Sequence, residues 1–180
     1  MSNPLTEIRQ AALIVEVPQA EELVGAYRMQ HDPSAAIGVP AHITINYPFL
    51  PGTAPPGPHL ERLHSLFADM PAFEFELSEI CRWPDVLYLA PRPVEPFADL
   101  IAAVAIAFPD SPPYGGVFQE VNPHLTIAQL DDRAVLDSIT EEFTSAAPGR
   151  LPITSSAREI VLIDNRSGRW ATVERFPLRP

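Results

Sequence analysis

The tetrapeptides His42-Ile43-Thr44-Ile45 and His124-Leu125-Thr126-Ile127 stand 82 residues apart in a chain of 180. Successive side chains along a β-strand point to opposite faces, so each tetrapeptide puts its histidine and threonine on one face and its two aliphatic residues on the other. The aliphatic face packs a core. The opposite face presents an imidazole and a hydroxyl on a rigid element. Two such strands at equivalent places predict two similar lobes whose polar faces line a single groove.

Working outward from these strands, the same order of elements recurs. Ala11 to Val17 reads as a strand, and Pro18 opens an acidic amphipathic helix from Gln19 to about His31. The motif strand from His42 to Tyr47 is followed by the proline-rich loop PFLPGTAPPGP, a helix from Leu60 to Met70, and the strictly alternating strand Phe73 to Leu77. The second half repeats this with a strand at Val86 to Leu89, a helix from about Pro96 to Phe108, a strand from His124 to Gln129 and a helix from Ala134 to Ala146. A long strand from Ile153 to Ile163 and a last one from Arg169 to Phe176 close the chain. The tripeptides Ser78-Glu79-Ile80 and Arg158-Glu159-Ile160, 80 residues apart, open hairpins at matching places. The expected fold is α+β: one domain over residues 1–180, bilobal, with two pseudo-symmetric β-α-β-α-β halves at roughly 10–82 and 86–177 around a central cleft.

Composition narrows the function. Twelve basic against twenty-three acidic residues give a net charge of −11, which opposes capture of DNA or long RNA through phosphate neutralisation and suits a small anionic substrate. Cys81 is the lone cysteine, so neither a disulfide framework nor a thiolate zinc site is expected, and a reducing cytoplasm is the expected compartment. The opening MSNPLTEIRQAALIVEVP lacks a basic region and a cleavage site, so no signal peptide is expected. The longest apolar run, Leu100 to Phe108, falls well short of the roughly 20 residues that cross a bilayer.

The motif residues suit phosphodiester chemistry. Such a reaction needs a base for the attacking oxygen and an acid for the leaving oxygen. An imidazole with an ordinary pKa of about 6.5 does either near neutrality. A threonine hydroxyl one pleat further along can donate to a non-bridging phosphate oxygen. Neither motif strand carries the further histidine or carboxylate that would complete a metal site, so no metal and no cofactor are expected. His31, His59 and His64 lack a threonine partner and read as surface residues.

The longer stretches HITINYPF at 42–49 and NPHLTIA at 122–128 resemble the paired signatures of the 2H phosphoesterase superfamily, in its 2′-5′ RNA ligase-like, cyclic phosphodiesterase branch. The resemblance extends over nearly the whole chain and includes the Tyr-Gly-Gly loop and Pro123 before the second motif. It implies a bilobal fold with both motifs in a central cleft, and activity on 2′,3′-cyclic or 2′-5′ phosphodiester groups of nucleotides or RNA ends. His42 and His124 match the catalytic histidines of the family, and Thr44 and Thr126 its phosphate-binding hydroxyls. The same four residues would serve an RNA ligase running in the opposite direction, and a non-catalytic module that binds nucleotide or RNA-end phosphates is the remaining alternative. Phe49, Tyr114 and Phe118 are candidates for stacking on a base, while alternation assigns Tyr47 to the Ile43/Ile45 core face. Arg82, Arg158, Arg166 and Arg169 lie near the hairpins and are candidates for a phosphate contact. A monomer with a small nucleotide or RNA-end substrate is expected.

Overall fold

The computed structural model describes residues 10–51, 57–118 and 120–180. The first half of the opening stretch, where no signal peptide is expected, and the middle of the proline-rich loop lie outside the described residues.

Among the described residues, eight strands form two four-stranded antiparallel sheets. The elements run β1 Ala11–Glu16, α1 Glu21–His31, a short α2 Pro33–Ala36, β2 His42–Asn46, α3 Gly57–Ala68, β3 Phe73–Arg82 and β4 Val86–Arg92. They continue with α4 Glu95–Ala107, β5 Leu125–Gln129, α5 Arg133–Ala146, β6 Ile153–Ala157, β7 Glu159–Asp164 and β8 Ala171–Pro177. One sheet has the order β2-β1-β7-β8 and the other β5-β4-β3-β6. The two motif strands, β2 and β5, are therefore each at an edge of their sheet.

Local chemistry explains the helix boundaries. Asp132 caps α5 by accepting from the amides of Ala134 and Val135, and Leu136, Ile139 and Phe143 give that helix its buried stripe. α1 begins with Glu21 and Glu22, which favour the positive end of the helix dipole, and Pro33 opens α2 immediately beyond Asp32.

Two expectations change. Ile153 to Ile163 is two strands, because Ala157 pairs with Phe73 in one sheet while Glu159 pairs with Pro177 in the other. The chain crosses between sheets at Arg158. β7 then sits between β1 and β8 with both faces covered, which accounts for the unbroken apolar run Ile160-Val161-Leu162-Ile163. The intervals 10–82 and 86–177 also describe chain order and not lobes. β3 from the first interval joins the sheet of β4, and β7 and β8 from the second join the sheet of β1. Each sheet thus borrows strands from the other half. Helices bridge as well: α1 packs on β5 and α4 packs on β2.

Ile43, Ile45, Leu125 and Ile127 are all fully buried in one continuous core that takes in both sheets. Truncating this face leaves a cavity that the shared core cannot readily close. Ile43→Ala or Leu125→Ala is expected to cost about 2–5 kcal/mol in urea denaturation, whereas the control Ile106→Ala, at a side chain 80% exposed, should stay within about 0.5 kcal/mol.

Candidate active site

β2 and β5 run beside each other although they belong to different sheets, and their polar faces meet. His42, Thr44, His124 and Thr126 all line one cleft of about 1210 Å³. The second histidine stands just outside the ladder, since β5 begins at Leu125.

The two imidazoles are held in the same way. Nδ1 of His42 lies 2.8 Å from the carbonyl oxygen of Pro40, and Nδ1 of His124 lies 2.8 Å from that of Asn122. A carbonyl can only accept, so each Nδ1 carries the hydrogen and each Nε2 keeps its lone pair. Burial lowers the pKa of His42 to about 4, against a partly compensating hydrogen bond to Pro40 and with a smaller lowering from the Arg28 guanidinium. Burial also lowers the pKa of His124, opposed by its bond to Asn122. The cleft therefore holds two neutral imidazoles near neutral pH.

The approach to His42 is anchored by charge. Arg28 is 2% exposed, pairs with the buried Asp32 at 3.0 Å and donates to the Val39 carbonyl at 3.2 Å. Glu21 accepts from the Ala41 amide at 2.6 Å, immediately before His42. These contacts tie α1 to the entry of β2. His124 is flanked by aromatic rings instead, with Trp83 at 4.7 Å and Tyr88 at 5.5 Å between centroids, both edge-to-face.

Among the residues proposed for base stacking, Tyr114 and Phe118 line the cleft and Phe49 does not. Phe49 is fully buried against Phe108, with centroids 5.1 Å apart, because β2 ends at Asn46 and the Phe49 amide then bonds back to Ala11. The same strand end corrects Tyr47. Once the pleat stops it no longer follows Ile43 and Ile45; it lines the cleft, donates to Gln10 Oε1 at 2.9 Å and meets Trp170. Tyr114 has its phenol beside the Thr44 side chain, which favours the ionised form against the larger opposing effect of burial. Its backbone is left-handed at φ 51°, followed by Gly115 and Gly116 at 64° and 75°, and its amide donates to the Tyr47 carbonyl. A non-glycine residue there is strained, and the loop holds it with the ring at Thr44.

The four arginine candidates are engaged elsewhere. Arg82 pairs with Asp137, Arg158 with Glu74, Arg166 with Asp164, and Arg169 donates to the Ala36 carbonyl. None of them lines the cleft. His64 is exposed and 3.8 Å from Glu174, whereas His59 is half-buried with its ring stacked on Phe108, deeper than a surface reading of it implies. Among the described residues, no three His, Cys, Asp or Glu side chains gather as a metal-binding group. Nor is any helix among them long and apolar enough to cross a membrane.

Trp83, Tyr88, Trp170 and the Arg28–Asp32 pair are site residues that sequence reasoning missed. Tyr88 had a readable signal: it alternates with the buried Leu87 and Leu89 and is directly opposite Thr126. The other three come from turns, loops and a helix end, where no periodicity points to the cleft.

The sequence profile of the 2'-5' RNA ligase superfamily matches residues 15–169, and the chain belongs to that superfamily. Its fold is shared by Escherichia coli LigT, solved with 3'-AMP (TM-score 0.60, 19% identity, covering 97% of this chain and 100% of that one). LigT solved with NADP+ aligns with a TM-score of 0.58 at 20% identity, over 97% of this chain and 99% of that one. TT0787 of Thermus thermophilus aligns with a TM-score of 0.57 at 18% identity, over 94% and 98%. A search of curated protein sequences gave no match.

The depressed histidine pKa values have a measurable consequence. Below about pH 6.5 the unfolded chain protonates at position 42 while the folded chain does not, so stability falls as pH drops from 6.5 toward 4. Histidine NMR titration should find His42 neutral down to about pH 4, and His42→Gln should flatten this part of the acid-stability curve. A His42 that titrates near 6.5 would contradict the burial account.

Proposed function

We propose that this protein is a metal-independent phosphoesterase acting on 2′,3′-cyclic or 2′-5′ phosphodiester groups of nucleotides. The observation that carries the reading is the matched pair of imidazoles, both with Nδ1–H on a backbone carbonyl, on strands of opposite sheets lining one cleft. That arrangement suits an acid and a base working on the same phosphorus centre. Membership of the 2'-5' RNA ligase superfamily supports it. So do the 3'-AMP, ATP and NADP+ complexes of LigT, which make a nucleotide-sized ligand reasonable for a cleft of this fold.

The roles divide by environment. His42, the more strongly desolvated imidazole with the Arg28 guanidinium nearby, stays neutral and takes the proton from the attacking water. His124, nearer the opening between Trp83 and Tyr88, takes up a proton with the arriving anion and gives it to the departing ribose oxygen. Thr44 and Thr126 donate to the non-bridging oxygens, where negative charge accumulates. Tyr114, beside Thr44, orients that hydroxyl: with the phenol donating to the threonine oxygen, the threonine hydrogen is left for phosphate. A ribose hydroxyl that attacks the cyclic phosphate in place of water gives its proton to His42 while His124 protonates the released ribose oxygen, so a ligase would use the same groups.

The test is turnover of nucleoside 2′,3′-cyclic phosphates and 2′-5′ dinucleotides by purified protein in excess chelator. His42→Ala and His124→Ala are each expected to lower kcat by about 10²- to 10⁴-fold, and Thr44→Val or Thr126→Val by about 10²- to 10³-fold. Full activity in both histidine variants would refute the assignment.

A further inference from the structure

The two walls of the cleft differ in chemistry. On the side of His42 and Thr44, the wall is a small apolar cluster separate from the main core: Ala12, Ile14, Val39 and Ile163, with Tyr47 and Trp170 packed on it. It arises because β1 and β7 are buried on both faces. Leu13, Val15, Ile160 and Leu162 serve the shared core, while their neighbours Ala12, Ile14 and Ile163 turn toward the cleft. On the side of His124 the lining includes Asp85, Glu120 and Asp131, all exposed and without an ion pair among the described residues.

No arginine is among the described residues that line the cleft, and the chain has no lysine. Asp32, the fourth acidic residue of the lining, is matched by Arg28. Three unmatched carboxylates therefore share the described lining with no lysine or arginine, and the two imidazoles are its only groups that can take on positive charge. One phosphate can be accommodated, since its charge is met when an imidazole takes up a proton. Each further phosphate brings charge that finds no arginine or lysine among the described lining residues. Proteins that hold the backbone of RNA do the reverse and set arginine or lysine along its path.

From this we infer that the substrate carries one phosphate on an otherwise uncharged, partly apolar body, a nucleoside cyclic phosphate without a 5′-phosphate, and not an RNA end. The base rests on the apolar wall at Trp170 and Tyr47. This rests on the phosphoesterase reading above. The cleft volume of about 1210 Å³ holds a mononucleotide with room for water, so charge and not space makes the selection.

Three substrates separate the outcomes: adenosine 2′,3′-cyclic phosphate, its 5′-phosphorylated form, and the same cyclic phosphate at the end of a short oligoribonucleotide. The first extra phosphate is expected to lower kcat/KM on the order of tenfold, the size of one unscreened like-charge contact at cleft distances, and added salt should shrink the penalty. The double variant Asp85→Asn, Asp131→Asn should narrow the same ratio. Trp170→Ala should raise KM for adenosine 2′,3′-cyclic phosphate more than for glycerol 1,2-cyclic phosphate, which has no base. Equal or faster turnover of the oligonucleotide, with affinity that weakens as salt rises, would overturn the inference.

Binding keeps the two readings apart. Calorimetry with 3′-AMP and adenosine 3′,5′-bisphosphate reports charge selection whether or not turnover occurs. Preference for the monophosphate without turnover of any cyclic phosphate would refute the proposed function and uphold the selection by charge. Equal binding of both would refute the selection even in an active enzyme.

Discussion

The structure depends on two edge strands whose inner faces are completely buried. Ile43 and Ile45 on β2, and Leu125 and Ile127 on β5, enter one core built from both sheets. Slipping either strand by one residue would expose two aliphatic side chains and bury a histidine and a threonine, which the desolvation of imidazole and hydroxyl makes costly. Register and site geometry are thus the same constraint. An open sheet edge normally invites pairing with another chain, but these two edges lie against each other without sharing a ladder, and the space between them is the cleft.

The exchange of strands between halves strengthens this arrangement. β3 carries the first half into the second sheet, and β7 and β8 return the second half to the first. Neither lobe is complete without the other, and α1 and α4 pack across the divide onto the opposite motif strand. A site whose reactive groups come from two sheets then gains rigidity from connectivity as well as from packing. Such a scaffold suits catalysis that relies on fixed positions for a proton donor and a proton acceptor.

Electrostatics in the cleft follow from what surrounds the imidazoles. Each donates its Nδ1 hydrogen to a neutral carbonyl and not to a carboxylate, and desolvation outweighs the support that this bond gives the imidazolium. The charge of Arg28 is spent on Asp32 and the Val39 carbonyl. What remains is a partly apolar pocket with an acidic rim.

Short-range pattern in the sequence determined a good deal. The alternation in HITI and HLTI identified the four motif residues and their buried partners, and helical pattern placed α1, α4 and α5 close to their observed limits. Neighbouring residues encode these features, so neighbouring residues reveal them. Only the tertiary structure decided that Ile153 to Ile163 divides between two sheets, that Phe49 turns into the core and Tyr47 out of it, and that the hairpin arginines are held away from the cleft. The pKa of His42 and the charge of the cleft belong with these. They depend on side chains such as Trp170 and Arg28, which folding brings to β2 from the turn before β8 and from α1, and an antiparallel strand carries no local mark of which partner it will take.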